Sequence, residues 1–383
     1  MSEAGEAWNA GKAWKEEASR SSSASQASQA FLSHRMRVAI NGFGRVGRVF
    51  TRVAWGNPNI EIVAINSRSD ADMYAHLLKY DSIYGPWEQV VSFEGNEALV
   101  IDGKRVPLHH ENELENAPWG NYDVDVVLES TGVFKNRAAS EKHLAAGAKH
   151  VVISAPTKDE DITLLYGIND ALFDPTKHKI ISAASCTTTC LASVVQVLQG
   201  TLGIKHGTVI TTHAYTNDQH LVDNPHKDKS FRRSRAAGIS IVPTSTGAAK
   251  AIGKVIPELA GKLDGNALRV PVTVPSIISF VAEVKKKTDA ETINTLFREA
   301  AKGAPDRIAT SDIGLVSVDY IRSPYAATVD TLSTLVTGGT QVFIQAWYDN
   351  EWGYVTQMVK LIEEMGGKMK RSGEAFRVVE NVR

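Results

Sequence analysis

Hydrophobic and polar positions follow two different patterns along the chain, and the pattern changes near Cys186. Before this residue, short apolar runs alternate with stretches in which apolar residues recur at helical spacing. Such an order is typical of an α/β fold with a doubly wound parallel sheet. The strands predicted here are 37–41, 60–65, 124–128, 151–153 and 180–181.

After Cys186 the apolar runs become longer and are bounded by turn residues, at 208–215, 268–274, 276–285, 315–320 and 341–348. These runs predict a second, mixed α/β domain with a largely antiparallel sheet. A helix between them is predicted to begin with a capping box, Thr288 with Glu291, and to stop at Gly303. A last helix over 352–365 is expected to return to the first domain.

The composition excludes several classes of protein. The chain has 383 residues, and 42 basic against 43 acidic residues give a net charge of −1. It lacks the basic surplus that a dedicated nucleic-acid binder needs. Without a run of 18 apolar residues, no membrane span is predicted. Two cysteines exclude a disulfide scaffold and indicate a reducing compartment, which favours a cytoplasmic location.

Residues 1–35 differ from the rest of the chain. The stretch 19–29 is nearly all Ser, Ala and Gln and has too few large apolar groups to form a core. The acidic residues of 1–35 are unusual for a transit peptide, and this segment lacks the apolar stretch of a secretory signal peptide. We predict a flexible N-terminal tail and leave organellar targeting open as the alternative.

Gly42, Gly44 and Gly47 lie between the first predicted strand and a predicted helix. In this setting they match the fingerprint of a Rossmann-type dinucleotide-binding domain. The first permits the turn, the second lets a pyrophosphate approach the backbone, and the third allows close packing. The helix N-terminus then binds phosphate. The alternative is an ordinary glycine-rich turn.

The second predicted strand should end in an acidic residue that binds the ribose 2′-hydroxyl. Ser67 occupies that position, and Arg68 follows it. Without the carboxylate, a 2′-phosphate is not repelled, and Arg68 offers a positive charge. We predict NADP or dual NAD and NADP use. The alternative is that Arg68 points to solvent and Asp70 binds the ribose.

Cys186 stands at the predicted start of a helix, within Ser185-Cys-Thr-Thr-Thr-Cys190. The helix dipole is expected to lower the pKa of its thiol, and the thiolate is the nucleophilic form. The alternative is two ordinary buried thiols, which is our interpretation for Cys190. Further zinc ligands are missing nearby, so no metal site is predicted.

His213 ends a predicted strand among polar residues and is the predicted base for Cys186. The alternative is a structural histidine. His109, His110 and His143 are interpreted as surface or loop residues.

Several residues are candidate anion binders. Arg233 lies in a short basic loop and Arg269 in a predicted strand, and guanidinium groups bind phosphate bidentately. Thr246 and Gly247 precede a predicted helix whose first N–H groups suit phosphate. Beside a Cys–His pair and a dinucleotide site, they indicate pockets for a phosphorylated substrate and for inorganic phosphate. The alternative for each arginine is a solvated surface residue.

Six segments, in consistent order over about residues 36–368, resemble the phosphorylating glyceraldehyde-3-phosphate dehydrogenase family. They are Asn41-Gly-Phe-Gly-Arg-Val-Gly-Arg48, Ser185-Cys-Thr-Thr-Thr-Cys190, His213-Ala-Tyr-Thr-Asn-Asp218, Thr246-Gly-Ala-Ala-Lys250, Arg269-Val-Pro271 and Trp347-Tyr-Asp-Asn-Glu-Trp-Gly-Tyr354. The resemblance implies a Rossmann domain over 36–185 and 350–383, interrupted by a catalytic domain over 186–349. It also implies a long S-shaped loop and a homotetramer.

The resemblance implies a role for individual residues. Cys186 matches the nucleophile and His213 the base. Thr216 and Arg269 match the binders of the substrate's own phosphate. The contacts for inorganic phosphate and the reacting end of the substrate are matched by Ser185, Thr187, Arg233, Thr246 and Gly247. The cofactor contacts are matched by Arg45, Val46 and Ser130, beside the glycines, and by Asn350 for the nicotinamide carboxamide.

The implied reaction is the oxidation of glyceraldehyde 3-phosphate to 1,3-bisphosphoglycerate with reduction of NAD or NADP. Cys186 attacks the aldehyde, His213 accepts the hydroxyl proton, and a hydride passes to the nicotinamide. Inorganic phosphate then cleaves the thioester. The Cys186 N–H and protonated His213 are expected to stabilise the oxyanion.

Some positions depart from the family pattern. Ser67 replaces an aspartate and Thr189 replaces an asparagine, while Pro225 matches NAD-using members and argues against strict NADP use. One extra residue lies near 229–231, and the run 271–275 is altered. Two alternatives stay open: a relative acting on another phosphorylated aldehyde such as erythrose 4-phosphate, and a non-catalytic nucleotide-binding regulatory protein.

Overall fold

The computed structural model describes residues 35–371. The predicted tail therefore lies outside the described residues, apart from Arg35, and so do residues 372–383. The domain boundaries at 185/186 and 349/350 stay predictions.

Two large sheets and one small hairpin contain the strands of this part of the chain. The strands are β1 (Met36–Asn41), β2 (Ile60–Asn66), β3 (Tyr80–Asp81), β4 (Gly85–Pro86), β5 (Val91–Glu94), β6 (Ala98–Ile101), β7 (Lys104–His109), β8 (Val126–Glu129), β9 (His150–Ile153), β10 (Ile162–Thr163), β11 (Ile180–Ser182), β12 (Ile204–Ala214), β13 (Val242–Ser245), β14 (Leu263–Val270), β15 (Ser276–Val284), β16 (Ile308–Ser311), β17 (Ala327–Thr337) and β18 (Gln341–Tyr348).

Seven α-helices and several short 3₁₀ helices connect these strands. The α-helices are α1 (Arg45–Ala54), α2 (Ala71–Lys79), α3 (Arg137–Ala145), α4 (Cys186–Thr201), α5 (Ala248–Val255), α6 (Ala290–Gly303) and α7 (Trp352–Arg371). The 3₁₀ helices are Leu114–Asn116, Trp119–Tyr122, Asp170–Leu172, Ala237–Ile239, Pro257–Leu259 and Ser317–Tyr320.

The first sheet has the strand order β10-β11-β9-β8-β1-β2-β7-β6-β5. All pairings from β10 to β7 are parallel, and β6 and β5 extend this edge in antiparallel fashion. The chain leaves β1 towards β2 on one side and later returns to β8 on its other side. This reversal is the topological switch point at which dinucleotides bind, outside the carboxyl ends of the strands. The predicted doubly wound sheet is confirmed.

The second sheet has the order β13-β14-β12-β15-β18-β17-β16. Four of its six pairings are antiparallel, and only β12–β14 and β16–β17 are parallel. The register places Ser276 of β15 opposite Tyr348 of β18. The predicted mixed α/β domain with a largely antiparallel sheet is confirmed.

Each sheet has its own hydrophobic core. Helix α7 packs on α1 and β1 through Val355, Met358 and Ile362, and so adds to the core of the first sheet. Helix α4 contributes to the core beneath the second sheet. Cys186 packs against both cores and therefore lies where they meet.

Three predictions about elements are wrong. Residues 315–320 are not a strand: Ser317–Tyr320 is a 3₁₀ helix, and the Asp319 carboxylate accepts the N–H of Val316. The cap of α6 is Asp289, whose carboxylate accepts the N–H of Thr292. The Thr288 N–H instead donates to the carbonyl of Gly339, in the turn between β17 and β18, so it is not available to the Glu291 side chain as a capping box requires. The strand predicted over 268–274 is β14, which begins at Leu263 and ends at Val270.

Candidate active site

A strained turn delivers Cys186 to the start of α4. Ala184 has a φ of 53°, in the left-handed region that non-glycine residues rarely adopt. The Ser182 hydroxyl supports this turn by accepting the Ala184 N–H. Ser185 then caps the helix, because its hydroxyl accepts the N–H of Thr188. Cys186 is thus the first helical residue, as the sequence predicted.

Strand β12 brings His213 to the cysteine. Side chains alternate along a strand, so Val209, Thr211 and His213 share one buried face, which lies under α4. Nε2 of His213 lies 3.4 Å from Sγ of Cys186. The two residues that the sequence selected as nucleophile and base are therefore in contact, although 27 positions separate them.

Arg269 lies on the other side of the imidazole ring. One of its terminal nitrogens is 2.6 Å from Nδ1 of His213 and 2.9 Å from the carbonyl oxygen of Ala214. That carbonyl is itself 2.7 Å from Nδ1. Since Nδ1 holds either a proton or a lone pair, it donates to Ala214 or accepts from Arg269. In the first tautomer Nε2 is free to take the thiol proton, and in the second it donates to the sulfur.

The environment changes both pKa values. Burial, aided by the positive charge of Arg269, lowers the pKa of His213 to about 3. Burial also raises the pKa of the Cys186 thiol, and Arg269 together with hydrogen bonds from Thr187 opposes this effect. The expectation of a lowered thiol pKa is therefore wrong for the free site, because desolvation between two cores outweighs the helix N-terminus. Both pKa shifts favour the uncharged forms of the pair, a thiol and a neutral imidazole.

Tyr348 also belongs to the site, although it was not among the residues predicted from the sequence. Its hydroxyl contacts Thr187 at 2.9 Å and Thr211 at 2.8 Å, and its ring packs edge-on against His213. Burial raises the pKa of this phenol well above its ordinary value, so it remains a hydrogen-bond donor. The sequence could have indicated it, because Tyr348 lies on the buried face of β18, and a buried tyrosine hydroxyl needs a hydrogen-bond partner.

The candidate phosphate-binding residues lie in several separate segments, and some of their side chains have partners within the protein. Arg233 is paired with Asp218 at 2.7 Å and lines a surface cavity of about 360 Å³. Thr246 accepts the N–H of Ala248 at the start of α5, and Gly247 is the N-cap, so the next N–H groups of this turn are available. Thr216 is half-buried beyond the end of β12.

Thr189, which departs from the family pattern, does not disturb the start of α4. It is buried, and its hydroxyl donates to the Ser185 carbonyl one turn earlier. The bond is internal to the helix, so the cap at Ser185 is retained.

The glycine loop borders a cleft at the carboxyl ends of β1, β2 and β8. This cavity of about 260 Å³ is lined by Asn41, Gly42, Phe43, Gly44, Asn66, Ser67, Arg68, Tyr74, Glu111, Asn112, Leu114, Ser130, Thr131, Val133 and Phe134. Gly42 has a φ of 94°. A Cβ on Gly47 would lie 2.4 Å from the Gly42 carbonyl oxygen, whereas one on Gly44 would meet no atom within 4 Å. Gly44 thus leaves room for a ligand to reach the helix N-terminus.

Ser67 and Arg68, the residues predicted to lie beside the cofactor ribose, line one part of this cleft. The Ser67 hydroxyl accepts the N–H of Phe43 and hydrogen-bonds to Tyr74. Arg68 is exposed and lines the cavity. Asp70 accepts a hydrogen bond from Asn96 and does not line the cavity.

The other predicted cofactor contacts fall into two groups. Ser130 donates to the Gly42 carbonyl at 2.7 Å and lines the cleft. The Arg45 side chain instead pairs with Asp81 and Glu351, so only its backbone faces the glycine turn. Val46 packs against the core of the first sheet.

His143 is not a surface or loop residue, as the sequence suggested. It is fully buried in α3, where Nδ1 accepts from Trp119 and Nε2 lies 3.2 Å from the Glu129 carboxylate. Helical spacing alone does not reveal this, because α3 is short and alanine-rich. His110 is exposed and His109 half-buried.

Asp218, His226 and Asp228 bring three possible metal ligands within 4.8 Å of one another. Both ring nitrogens of His226 already have partners, since Nδ1 accepts from the Asp228 N–H and Nε2 contacts the Asp218 carbonyl. Asp218 also holds Arg233. This cluster is explained by its internal hydrogen bonds, and the absence of a metal stays a prediction.

Among residues 35–371, no helix combines the length and apolar character needed to cross a membrane.

Comparison with known proteins agrees with this architecture. Residues 36–137 match the family model described as glyceraldehyde 3-phosphate dehydrogenase, NAD binding domain. Residues 185–350 match the corresponding C-terminal domain. The chain is 49% identical over 334 residues to glyceraldehyde-3-phosphate dehydrogenase of Geobacillus stearothermophilus, an alignment that covers 87% of this chain and 99% of the relative.

Similarity extends to other bacteria. Glyceraldehyde-3-phosphate dehydrogenase 2 of Bacillus subtilis is 47% identical over 337 residues, which cover 88% of this chain and 98% of the relative. The protein of the same name from Trichormus variabilis is 47% identical over 336 residues, or 87% of this chain and 99% of the relative. The fold, the two matched domains and these identities show that the chain belongs to the glyceraldehyde-3-phosphate dehydrogenase family.

Proposed function

We propose that this chain oxidises glyceraldehyde 3-phosphate to 1,3-bisphosphoglycerate with NAD or NADP and inorganic phosphate. The observation that supports this most strongly is the 3.4 Å contact between Cys186 and His213. It lies at a helix N-terminus, between the core of a dinucleotide-binding sheet and that of a second sheet. Two ordinary buried thiols would not require this placement.

The residues of the pair divide the first half-reaction between them. The Cys186 proton passes to Nε2 of His213 while Sγ bonds to the aldehyde carbon, and the oxygen becomes the hydroxyl of a thiohemiacetal. His213, neutral again, then accepts that hydroxyl proton as the carbon loses its hydride. NAD(P)⁺, when bound in the cleft, supplies the hydride acceptor. The product on Cys186 is a thioester.

The second half-reaction needs inorganic phosphate. A phosphate oxygen attacks the thioester carbon, the bond to Sγ breaks, and an acyl phosphate leaves. The Cys186 backbone N–H at the start of α4 and protonated His213 can stabilise the oxyanion that forms. Ser185, Thr187, Arg233, Thr246 and Gly247 are the proposed binders of this phosphate, and Thr216 and Arg269 of the substrate's own phosphate.

The proposed cofactor is NADP or both dinucleotides. Gly42, Gly44, Gly47, Ser130 and the backbone of Arg45 and Val46 would hold the pyrophosphate end. Ser67 carries no charge that would repel a 2′-phosphate, and exposed Arg68 lines the same cavity. Asp70 lies off the cavity and is held by Asn96, which weakens the alternative in which it binds the ribose.

We also propose a homo-oligomer, with the tetramer that the family resemblance implies. Five large apolar side chains between β12 and β13 are more than two-thirds exposed in the single chain, and the most exposed of them is Phe231 at 92%. They are Leu221, Val222, Phe231, Ile239 and Ile241. Large exposed apolar side chains concentrated on one segment are typical of an interaction surface. Both cysteines are free thiols, which favours a cytoplasmic location.

Initial rates with each dinucleotide, with and without inorganic phosphate, test the proposed function. We expect sustained reduction of the cofactor by glyceraldehyde 3-phosphate only when phosphate is present, and a single turnover per active site without it. Erythrose 4-phosphate serves as a second substrate, and a higher kcat/KM for it would replace the proposed substrate. Binding of dinucleotide without any turnover on either aldehyde would contradict the enzymatic function and support a regulatory protein.

A further inference from the structure

Ser276 connects two parts of the site that are far apart in sequence. It begins β15, is 1% exposed, and lies between the end of β12 and the segment that leads from β18 into α7. Its hydroxyl is 3.0 Å from the backbone nitrogen of Ala214, next to the candidate base. The same hydroxyl is 2.9 Å from Oδ1 of Asn350.

The chemistry of the hydroxyl fixes the direction of both hydrogen bonds. The Ala214 N–H can only donate, so the Ser276 oxygen accepts from it. The single hydroxyl proton of Ser276 is then free for Asn350, where an oxygen must receive it. The amide of Asn350 therefore keeps Oδ1 towards Ser276. In the opposite orientation the Ser276 oxygen would accept two N–H groups, and its own buried proton would have no acceptor among the described residues.

This arrangement determines which atom of Asn350 remains available. Oδ1 is occupied, and within the described part of the chain no acceptor pairs with Nδ2. Asn350 is nearly buried, so it cannot rotate freely to exchange its two amide atoms. The free group is thus a donor.

We infer that Ser276 is a positioning residue that turns Nδ2 of Asn350 towards the cofactor, where it donates to the carbonyl oxygen of the nicotinamide carboxamide. This inference rests on the proposed function, in which Asn350 holds that group. Because the hydroxyl also binds Ala214, it ties the nicotinamide holder to the backbone beside His213. Ser276 then helps to hold both the nicotinamide ring, through Asn350, and His213, through the backbone of Ala214.

The test compares Ser276→Ala with the unaltered protein in the binding of two ligands by calorimetry. One is the preferred dinucleotide, and the other is ADP-ribose, or its 2′-phosphate form if NADP is preferred, which lacks the nicotinamide. We expect the dinucleotide affinity to fall about tenfold, since a buried hydrogen bond is lost and the amide can turn, while ADP-ribose affinity is unchanged. Ser279→Ala, on the same strand, is the matched control and should change neither.

The outcomes separate the inference from the function on which it rests. If the unaltered protein does not bind the dinucleotide at all, the proposed function fails. If it does, but Ser276→Ala weakens both ligands equally or neither, the positioning role is wrong. An equal loss for both ligands with a lowered melting temperature would show a purely structural serine.

A second measurement uses only the unaltered protein and does not depend on a variant that folds. The 3-acetylpyridine dinucleotide keeps the carbonyl oxygen but lacks the amide NH₂. If Nδ2 donates to the carbonyl, this analogue should bind within about threefold of the natural cofactor. Binding about tenfold weaker or worse would show that Asn350 presents Oδ1 to the NH₂, and would overturn the inference.

Discussion

The guanidinium group of Arg269 lies 2.6 Å from Nδ1 of His213, on the opposite side of the imidazole from Cys186. A cation in this position disfavours the protonated imidazole and favours the thiolate, so it acts on both members of the pair. It also holds the Ala214 carbonyl that would otherwise accept the imidazole proton. If a substrate phosphate draws the guanidinium away, the imidazole becomes a stronger base when it is needed.

Replacing Arg269 should change the acidity of the cysteine. In Arg269→Gln the pKa of the Cys186 thiol rises, because the charge that opposes desolvation is gone. The pH profile of alkylation by iodoacetamide should move to higher pH by about 1 unit. Arg298→Gln, which removes a half-buried cation on α6, is the control. A profile at the original pH would mean that Arg269 does not act on the sulfur.

His213 should make the folded state sensitive to acid. Its pKa is lowered, mainly by burial and then by Arg269, to about 3. Between the ordinary value of about 6.5 and this value, the unfolded chain binds a proton that the folded chain does not. Stability should therefore fall as the pH falls, by about 1.4 kcal/mol per pH unit from this group alone. Urea midpoints on both sides of pH ~6 should differ less in His213→Gln, and an unchanged difference would contradict the assignment.

Two glycines of the cofactor loop should respond differently to alanine. A Cβ on Gly47 meets the Gly42 carbonyl oxygen at 2.4 Å, so Gly47→Ala should lower both stability and cofactor affinity. Gly44 has free space, so Gly44→Ala should lower affinity alone, by blocking the approach of the pyrophosphate. Thermal unfolding and dinucleotide titration measure the two effects. Unchanged affinity in Gly44→Ala would show that the ligand does not approach the backbone there.

Ser67→Asp tests the cofactor prediction. A carboxylate at this position would face a 2′-phosphate across the same cavity, so kcat/KM for NADP should fall about tenfold or more, whereas that for NAD should hold or rise. Asp70→Asn is the matched control, because Asp70 does not line the cavity, and it should leave the preference unchanged. Retained NADP use in Ser67→Asp, or a changed preference between the two dinucleotides in Asp70→Asn, would favour the alternative ribose contact.

The local sequence was sufficient to predict those elements whose structure depends mainly on their own residues. The start of α4 at Cys186 follows from a serine cap and a change to helical spacing, and the bounds of β18 match the predicted run. The strand predicted over 315–320 failed because Val316 and Val318, two of its alternating apolar residues, face solvent, and of this alternating set only Tyr320 is buried. A local carboxylate hydrogen bond then stabilises a 3₁₀ helix instead.

Contacts between distant segments could not be predicted in this way. Tyr348 joins Thr187 and Thr211 across 161 and 137 positions, and the register of β15 against β18 decides where it lies. The raised pKa of Cys186 could not be predicted for the same reason, because it also depends on distant segments. The sequence shows a helix N-terminus but not the two cores that desolvate the sulfur.

The most direct test of the account is dehydrogenase activity of Cys186→Ser, measured together with its cofactor affinity. A hydroxyl at this position is not ionised by an imidazole whose own pKa is low, so we expect aldehyde oxidation to fall at least about 1,000-fold with cofactor binding intact. Cys190→Ala, which changes a fully buried thiol one turn along α4, should keep most of the activity. Sustained turnover by Cys186→Ser would contradict covalent catalysis by this residue.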